Sequence, residues 1–591
     1  MDMQRAFLAI IISFVILIGY QYLFLPPAPP VVPGQLEQQE NATGKTGNKV
    51  AQQSKQQSKN AAESTVQGSA VQGSQPGETP AMQVQQPVVV DPAARDIVID
   101  TPLYTAIFFE QGGGLKSFIL KKYRTAKAED APPMEMITTS NPAEFPMVFS
   151  LDNGAGNDLL FFKAKTTSVR VDEGGASELI MTASQDDGIQ IERHLTFTSD
   201  TYLIDSRYVV TNTASIPLQI SPALAMTNAP FASGAAGGGL AGASAGVFSG
   251  PAAYINGELE EIDTDDLLER PLLMQGTLDW AAHVDSYFMC ALVPAKGNIG
   301  SFTAMGLDKV RTVLAGGITK LPPGETKEFR YEGYFGPKKL AYLKETGYKL
   351  AEAINFGWFD ILAKPMLYLL NFFHSILGNY GIAIILLTCL IKGLFWPITQ
   401  KGMKSMKNMQ KLQPKVTKLR EKYKGDPAKM NQEMMSLYKT YKVNPVGGCL
   451  PMLIQIPFFF ALYRVLMAAI ELRHAPFMLW INDLSAPDRL MIGFDIPVLH
   501  GIPVLTILMG ASMYLQQKMT PTTADPTQAK VMQFLPIIFT VMFINFASGL
   551  VLYWFVNNLL SILQQQLINR QTGKGPTTGA ATGAATGAAT G

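Results

Sequence analysis

The chain has 591 residues, too many for one ordinary domain, and its net charge of +1 points to no acidic or basic partner. Its apolar residues are concentrated in runs that approach the roughly 20 residues needed to cross a bilayer as a helix, so we expect an integral membrane protein. The three cysteines, Cys290, Cys389 and Cys449, form no CxxC motif, which excludes a disulfide framework and a zinc site of that type.

The N-terminus carries one arginine followed by an apolar stretch from Ala6 to Leu25. A cleaved signal peptide is the alternative, but its apolar region would be shorter and small residues would mark a cleavage site. Tyrosines and a glutamine follow here instead, which favours an uncleaved transmembrane anchor over residues 1–25. Residues 26–92 are rich in Gln, Pro, Ser, Gly and Ala, so they are predicted to be a disordered periplasmic linker.

Residues 93–345 consist of short alternating runs such as IQIERHLTFT and YLIDSRYVVTNT, separated by Gly, Asn, Asp and Pro. Val, Ile, Thr, Tyr and Phe that recur at every second position indicate β-strands, and many such runs predict an all-β domain of sandwich type. The glycine-rich segment FASGAAGGGLAGASAG is predicted to be a loop within this domain.

After residue 350 the chain is predicted to be helical. Residues 350–373 place charged side chains among aromatic ones, which suits an amphipathic helix in the membrane interface. Five membrane-spanning helices should follow, and with the N-terminal anchor they make six. Their predicted ranges are 377–398, 447–468, 502–517, 530–546 and 548–567. The connecting loops are 399–446, 469–501 and 518–529, and residues 568–591 form a low-complexity cytoplasmic tail.

The charge of the loops predicts the orientation. Residues 399–446 contain eleven lysines and one arginine against three acids, so this basic helical hairpin should face the cytoplasm. The β domain and residues 469–501 then lie in the periplasm, and the N-terminus lies in the cytoplasm. Within the hairpin, Pro414 should limit the first helix, and Asp426 followed by Pro427 should begin the second.

The sequence contains no recognisable enzyme motif. Its five histidines form no HExxH or other metal-ligand spacing, and neither a GxSxG elbow nor a Walker motif in a strand–helix setting is present. We therefore predict a protein that is not an enzyme, with no cofactor, no metal site and no specific nucleic-acid site.

Polar residues inside the predicted spans are more informative. Lys392 interrupts the apolar run GIAIILLTCLIKGLFWP, although an ammonium at the bilayer centre costs about 2.5–3.5 kcal/mol on insertion scales. Thr388 shares its helix face, and Gln455, Asn557 and Asn558 lie in the middle of other spans. Snorkelling of the lysine and hydrogen bonds between helices are the structural alternatives. Together, at related depths, the five residues predict a polar cavity open to the cytoplasm.

Six methionines recur at helical spacing in the basic hairpin. They are Met403, Met406, Met409, Met430, Met434 and Met435. One interpretation is that they pack the two hairpin helices against each other. The other is that they form a soft surface able to fit varied apolar partners.

Several long segments carry a resemblance. NPVGGCLPMLIQIPFFFALY, ELRHAPFMLWINDLSAPD and ASGLVLYWFVNNLLSILQQQLINR, with MDMQR and QKMTPTT, resemble the YidC membrane protein insertases of Gram-negative bacteria. The resemblance implies a membrane α-helical fold with six transmembrane helices, five of them an insertase core, plus a large periplasmic all-β supersandwich domain. It also implies an inner-membrane insertase and folding chaperone for nascent membrane proteins, acting alone or with the Sec translocon and without nucleotide hydrolysis.

The resemblance also implies a hydrophilic groove with one positive charge, which Lys392 supplies where relatives carry arginine. Tyr553-Trp554 stands where two tyrosines are expected. The predicted client groove comprises Lys392, Thr388, Gln455, Tyr553, Trp554, Asn557 and Asn558. Ile456 and Phe459 are predicted to contact the client helix, and the six methionines to capture clients on the cytoplasmic side. A ribosome–nascent chain is a further partner that the resemblance implies. The GAATGAATGAATG tail departs from the family's basic C-terminus, so contact through this tail is not carried over.

A mechanism follows as a hypothesis. Lys392 attracts acidic residues of short exported segments into a wet groove, and the client's apolar helix then partitions into the membrane lipids. A secondary transporter with a mid-membrane polar site is the alternative, although such proteins usually show internal repeats, and no second copy is visible here. A scaffold for envelope enzymes would explain the β domain but not the cavity. The β domain is similar to sugar-mutarotase folds, yet it lacks a paired catalytic histidine and acid.

Overall fold

The protein is described from a computed structural model over residues 88–573, except for 129, 155–158, 230–247, 269, 296–298, 307–308, 424, 442–449, 494–498 and 520–525. The predicted N-terminal anchor, nearly all of the predicted linker, the glycine-rich segment and the C-terminal repeat tail lie outside the described residues.

Residues 96–337 are mostly β-sheet, because apolar side chains recur there at every second position. The first ten strands are β1 Asp96–Asp100, β2 Tyr104–Phe109, β3 Leu115–Arg124, β4 Pro133–Glu135, β5 Val148–Ser150, β6 Lys163–Ala164, β7 Ser168–Arg170, β8 Ala176–Ser184, β9 Ile189–Thr198 and β10 Leu203–Asn212. The others are β11 Leu218–Ile220, β12 Ala223–Asn228, β13 Gly250–Ile255, β14 Glu258–Glu261, β15 Leu272–Val284, β16 Phe288–Pro294, β17 Ile299–Gly306, β18 Val310–Ala315, β19 Thr319–Leu321 and β20 Thr326–Pro337.

The described strands form two large sheets and a small one. The 13-stranded sheet follows the order β5-β12-β18-β17-β15-β16-β20-β10-β9-β8-β6, with β13 and β14 added at β15. The 5-stranded sheet has the order β4-β3-β2-β1-β7, and β11 pairs with β19. Between the described strands, β1 and β7 run parallel and the other pairs are antiparallel. The region is therefore the mostly β architecture that the alternating sequence predicts.

Two buried basic side chains, Arg193 and His283, lie within this β core. Arg193 points inward from β9, where its guanidinium lies 4.9 Å from the Tyr208 ring centre and its Nε donates to Ser206 Oγ at 3.1 Å. Burial lowers the pKa of Arg193. Burial also lowers the pKa of His283, in β15, to about 4, so this imidazole is neutral at pH 7.

Most of the described chain after residue 337 is helical, apart from the segment between α5 and α6. The helices are α1 Leu340–Thr346, α2 Asp360–Leu377, α3 Tyr380–Lys422, α4 Pro427–Thr440, α5 Leu450–Ala468, α6 Val504–Met519, α7 Pro526–Phe543 and α8 Ser548–Gly573. Before α2, Trp358 is 99% exposed, and Ile361 and Ile376 on α2 are also exposed. This outward apolar surface suits the predicted interfacial helix, whose place in the membrane stays a prediction.

The prediction that Pro414 limits the first hairpin helix is wrong, because α3 runs without a break from Tyr380 to Lys422 and contains both Pro397 and Pro414. A proline removes one backbone hydrogen bond, and the surrounding Lys, Gln, Met and Leu are strong helix formers that carry the helix through it. The predicted membrane span and the first half of the basic hairpin are thus one helix. The next helix, α4, begins at Pro427, and Asp426 is its N-cap, as predicted, because its carboxylate accepts a hydrogen bond from Lys429 N.

Within the described residues, one helical segment has the length and composition to cross a membrane by itself, Tyr380–Met409. Gln455–Ala468 and Gln533–Phe543 are shorter apolar segments. That the chain crosses the membrane six times therefore stays a prediction.

The segment between α5 and α6 joins several parts of the fold. Arg473 Nη2 donates to the Thr125 carbonyl of the β region at 3.1 Å, and its guanidinium lies 5.3 Å from the Phe288 ring centre. Farther along, the buried Asp488 carboxylate accepts hydrogen bonds from Trp480 Nε1 at 2.6 Å and from Thr506 N at 3.1 Å. These contacts fix the segment against both the β region and the first turn of α6.

Candidate functional site

A cavity of about 440 Å³ lies among α3, α5, α6, α7 and α8. Its polar lining residues are Lys392, Thr399, Lys407, Gln455, Gln516, Gln517, Asn557, Asn558, Ser561, Gln565 and Asn569. Its apolar and aromatic lining residues are Met403, Met406, Ile456, Phe459, Met513, Leu535, Pro536, Tyr553, Trp554 and Ile568. Among these described residues are two lysines and no carboxylate, so the lining mixes polar and apolar side chains and its net charge is positive.

Lys392 is the centre of the cavity's hydrogen-bond network. Its ammonium donates to Asn557 Oδ1 at 3.2 Å and to Ser561 Oγ at 2.7 Å, and the whole residue is only 8% exposed. Gln455 Nε2 donates to the same Asn557 oxygen at 2.8 Å. One amide oxygen on α8 therefore holds side chains from α3 and α5 together.

The network leaves the lysine's charge uncompensated. Among the described residues, no carboxylate forms an ion pair with Lys392, and its partners are a neutral amide and a neutral hydroxyl. Such partners satisfy hydrogen bonds but do not cancel the charge, and a buried charge without a counter-ion is costly. The ammonium lies within the cavity, bonded to α8, and the structure gives no sign that it snorkels to the basic hairpin.

The other predicted polar residues have different places. Asn558 lines the cavity and donates through Nδ2 to Ser512 Oγ of α6 at 3.1 Å. Thr388 is buried, but its hydroxyl donates to the Ile384 carbonyl of its own helix at 2.7 Å, and the residue is not among those that line the cavity. The structure therefore brings Lys392, Gln455 and both asparagines together and leaves Thr388 outside the lining.

Aromatic residues form one wall of the cavity. The Phe459 ring centre lies 5.2 Å from that of Trp554 and 6.3 Å from that of Tyr553, and all three line the cavity. Trp554 Nε1 is buried and has no hydrogen-bond partner among the described residues. Ile456, 42% exposed, is also on this wall. The two predicted client-contact residues thus lie on the same surface as the predicted aromatic pair.

The six methionines separate into two groups. Met403 and Met406, on α3, line the cavity, whereas Met409, Met430, Met434 and Met435 are not among its lining residues. Met435 is 51% exposed. A role for all six in capturing clients stays a prediction.

Sequence reasoning missed part of the polar lining. Ser561 and Gln565 continue the face of α8 that begins at Asn557, since they follow it at helical spacing of four and eight residues. Beside this lining, Gln564 is fully buried and donates through Nε2 to Thr399 Oγ1 at 2.8 Å. The helical period counted onward from Asn557 would have found these residues.

The fold and the cavity define a protein in which a mostly β region joins helices around a cavity that holds two lysines, and one described helical segment, Tyr380–Met409, is long and apolar enough to cross a membrane. Two family models match: "60Kd inner membrane protein" over residues 372–575 and "YidC periplasmic domain" over residues 96–369. "Membrane protein insertase YidC" of Oleidesulfovibrio alaskensis is 40% identical over 582 residues, which is 97% of this chain and 100% of that protein. The chain therefore belongs to the YidC family of membrane protein insertases.

Two further similarities were found. "Membrane protein insertase YidC" of Syntrophobacter fumaroxidans is 43% identical over 479 residues, which cover 80% of this chain and 86% of that protein. A solved structure, "Active YidC insertase crystal structure with the first transmembrane domain resolved", has a TM-score of 0.34 and 19% identity, and the match covers 81% of this chain and 93% of that one. The relatives of Oleidesulfovibrio alaskensis and Syntrophobacter fumaroxidans are both named insertases. As a member of this family the protein is an inner-membrane insertase with a periplasmic domain.

Proposed function

We propose that client transmembrane segments enter the membrane through the cavity among α3, α5, α6, α7 and α8, and that Lys392 attracts acidic residues of the segment that must cross. The observation that carries this proposal is the Lys392 ammonium, held by Asn557 and Ser561 at 3.2 and 2.7 Å without a carboxylate partner among the described residues. A client carboxylate would compensate the charge, and the attraction between them is stronger here than in water because the lining is partly apolar.

The polar lining lowers the cost of moving a hydrophilic segment. Amides and hydroxyls of α3, α5 and α8 offer hydrogen bonds that hydrocarbon cannot, so the segment need not be fully desolvated at once. The client's apolar helix would lie against Ile456 and Phe459 and then move into lipid. Burial of its surface gives roughly 25 cal/mol per Å², which is sufficient to drive the step without nucleotide hydrolysis.

We include in this proposal the membrane topology, that is, the number of spans and the side on which each loop lies. Six transmembrane helices would place the lysine-rich residues 399–446 in the cytoplasm and residues 469–501 in the periplasm. Because α3 continues past Pro414, it would extend as a rigid arm from the membrane into the cytoplasm. The resemblance to the family also supports cooperation with the Sec translocon and contact with ribosome–nascent chains, and both are part of the proposal.

The test uses the purified full-length protein in proteoliposomes without nucleotide. The clients are two single-span proteins that differ only in whether their exported segment carries one aspartate or one asparagine, and insertion is measured as the protease-protected fraction. We expect Lys392→Gln to reduce insertion of the aspartate client about tenfold or more, because removal of one member of a largely buried charge pair usually costs at least that factor. The same substitution should affect the asparagine client much less. Lys392→Arg keeps the charge and should retain most activity.

Two results would contradict the proposal. Equal losses for the two clients in Lys392→Gln would show that the charge does not act on the client's acid. Failure of the wild-type protein to insert either client, with its own orientation in the vesicles verified, would leave secondary transport as the better reading of a polar site in the membrane.

A further inference from the structure

The cavity extends along α3 well beyond Lys392. Thr399, Met403, Met406 and Lys407 of the same helix also line it, and all five residues lie on one side of α3. At a rise of ~1.5 Å per residue, Lys392 and Lys407 are roughly 22 Å apart along the helix axis. The cavity therefore has a second lysine toward the end of α3 that carries the basic hairpin sequence.

The two lysines have the same kind of partner. Lys407 Nζ donates to Asn569 Oδ1 at 3.1 Å, as Lys392 Nζ donates to Asn557 Oδ1 at 3.2 Å. Both asparagines belong to α8 and both line the cavity. In each case an amide oxygen accepts a hydrogen bond from the ammonium, although the Lys407 pair is exposed and the Lys392 pair is partly buried. This repeated Lys–Asn pairing between α3 and α8 is a feature that the predicted single-charge groove does not contain.

Lys407 differs from the other lysines nearby. Lys401, Lys404 and Lys411 lie on the same helix, but none of them is among the described residues that line the cavity. Their side chains belong to a general basic surface, whereas Lys407 adds its charge to the cavity that already holds Lys392. Since that lining contains no carboxylate, an acidic segment is the occupant whose charge is complementary at both positions.

We propose that Lys407 and Asn569 form a second binding position for a client carboxylate, nearer the cytoplasmic mouth than Lys392. This inference rests on the proposed function and adds to it a preferred spacing between two acidic residues of the client. An extended chain advances ~3.3 Å per residue, so it covers the roughly 22 Å between the lysines in about seven residues. The protein should therefore favour exported segments with two acidic residues about seven positions apart, since such a segment fills both positions at once.

The experiment uses the full-length protein in zwitterionic proteoliposomes and a series of single-span clients. Each client carries one aspartate near its apolar helix and a second one three, seven or eleven residues away, and a single-aspartate client is the reference. We expect the seven-residue spacing to insert about two- to fivefold better than the reference, the factor that a partly exposed ion pair gives. Lys407→Gln should remove this advantage. Lys404→Gln, which loses an equal charge outside the cavity lining, should keep it.

A charge exchange separates recognition from a folding defect. Lys407→Glu should insert the seven-spaced client poorly, and replacing the client's outer aspartate by lysine should restore insertion. Insertion that is independent of spacing, equal effects of Lys407→Gln and Lys404→Gln, or no restoration by the exchange would each overturn the second position. If the single-aspartate client still depends on Lys392 in that case, only this inference fails. If the client loses that dependence as well, the proposed function fails.

Discussion

Gly510 of α6 lies close to Thr540 of α7. A Cβ atom added at Gly510 would lie 2.0 Å from Thr540 Oγ1 and 3.1 Å from Thr540 Cβ, far inside normal contact distance. Gly510→Ala must therefore push the two helices apart or rotate Thr540, whose hydroxyl donates to the Pro536 carbonyl at 2.7 Å. Overpacking of this kind costs about 1–3 kcal/mol, partly offset by the gain of up to about 1 kcal/mol when alanine replaces glycine in a helix.

The expected net loss for Gly510→Ala is about 1–2 kcal/mol in the free energy of unfolding, measured by denaturant titration in detergent micelles. Gly393→Ala is the matched control, because no atom lies within 4 Å of a Cβ added there, and it should be neutral or stabilising. Thr540→Ala removes the hydroxyl, so combining it with Gly510→Ala should recover about 1 kcal/mol relative to additivity. The reasoning is refuted if Gly510→Ala is as stable as Gly393→Ala, or if the two substitutions are simply additive.

Three further predictions concern other parts of the molecule. Asp488→Ala leaves the buried Thr506 N and the partly buried Trp480 Nε1 without their acceptor, so it should cost about 2–4 kcal/mol in the free energy of unfolding and speed hydrogen exchange at the Thr506 amide. Asp488→Asn keeps an acceptor oxygen and should cost less, and equal costs for the two variants would contradict this prediction. Burial holds the pKa of His283 at about 4, whereas in the unfolded chain this imidazole titrates near 6.5. As the pH falls, the unfolded state therefore binds a proton before the folded state does. The free energy of unfolding should fall by up to about 3 kcal/mol as the pH drops from about 6.5 to 4. His283→Phe should show a shallower decline over that range in pH-dependent unfolding, and an unchanged slope would contradict it. The Thr388→Val protein should give an inserted client fraction within about twofold of wild type in the proteoliposome assay, because the hydroxyl bonds to its own helix and does not line the cavity. A large loss of insertion would instead indicate that Thr388 takes part in client binding.

The convergence of the cavity residues could be predicted from sequence, because a polar side chain in an apolar span must find a partner inside the protein. Lys392, Gln455 and Asn557 stand out for that reason, and the structure joins them through one amide oxygen. Thr388 could not be excluded in this way, since a hydroxyl in a helix can bond to its own preceding turn as easily as to a neighbour.

Other features depend on information that local sequence does not carry. Alternation indicated strands between residues 93 and 345, but the order of the 13-stranded sheet is set by pairings between distant segments, such as β10 with β20. From sequence alone Pro414 predicts a helix end, so the predicted helix is shorter than α3, which continues to Lys422. Strong helix formers on both sides, and the burial of Leu412 and Val416 beside the proline, outweigh one lost hydrogen bond there.

In the proposed topology, the two Lys–Asn pairs lie one after the other along the path of a client. Lys392 lies deep among α3, α5 and α8, whereas Lys407 lies near the end of the lining that continues into the basic hairpin sequence. An acidic segment arriving from the cytoplasm would meet Lys407 first and Lys392 second. Such a sequence of two attractive positions would hold a client in register while its apolar helix moves toward lipid.

The central claim is that clients pass along the wall formed by Ile456 and Phe459, and site-specific photocrosslinking tests it most directly. A photoreactive residue is placed at each position, with Ile507, exposed but outside the cavity lining, as the control, and a ribosome-stalled nascent membrane protein is the client. The account predicts strong adducts at both wall positions, weak ones at Ile507, and fewer adducts with an acidic client when Lys392→Glu is added. Adducts no stronger at Ile456 and Phe459 than at Ile507, in a probe protein shown to be in the membrane, would contradict it.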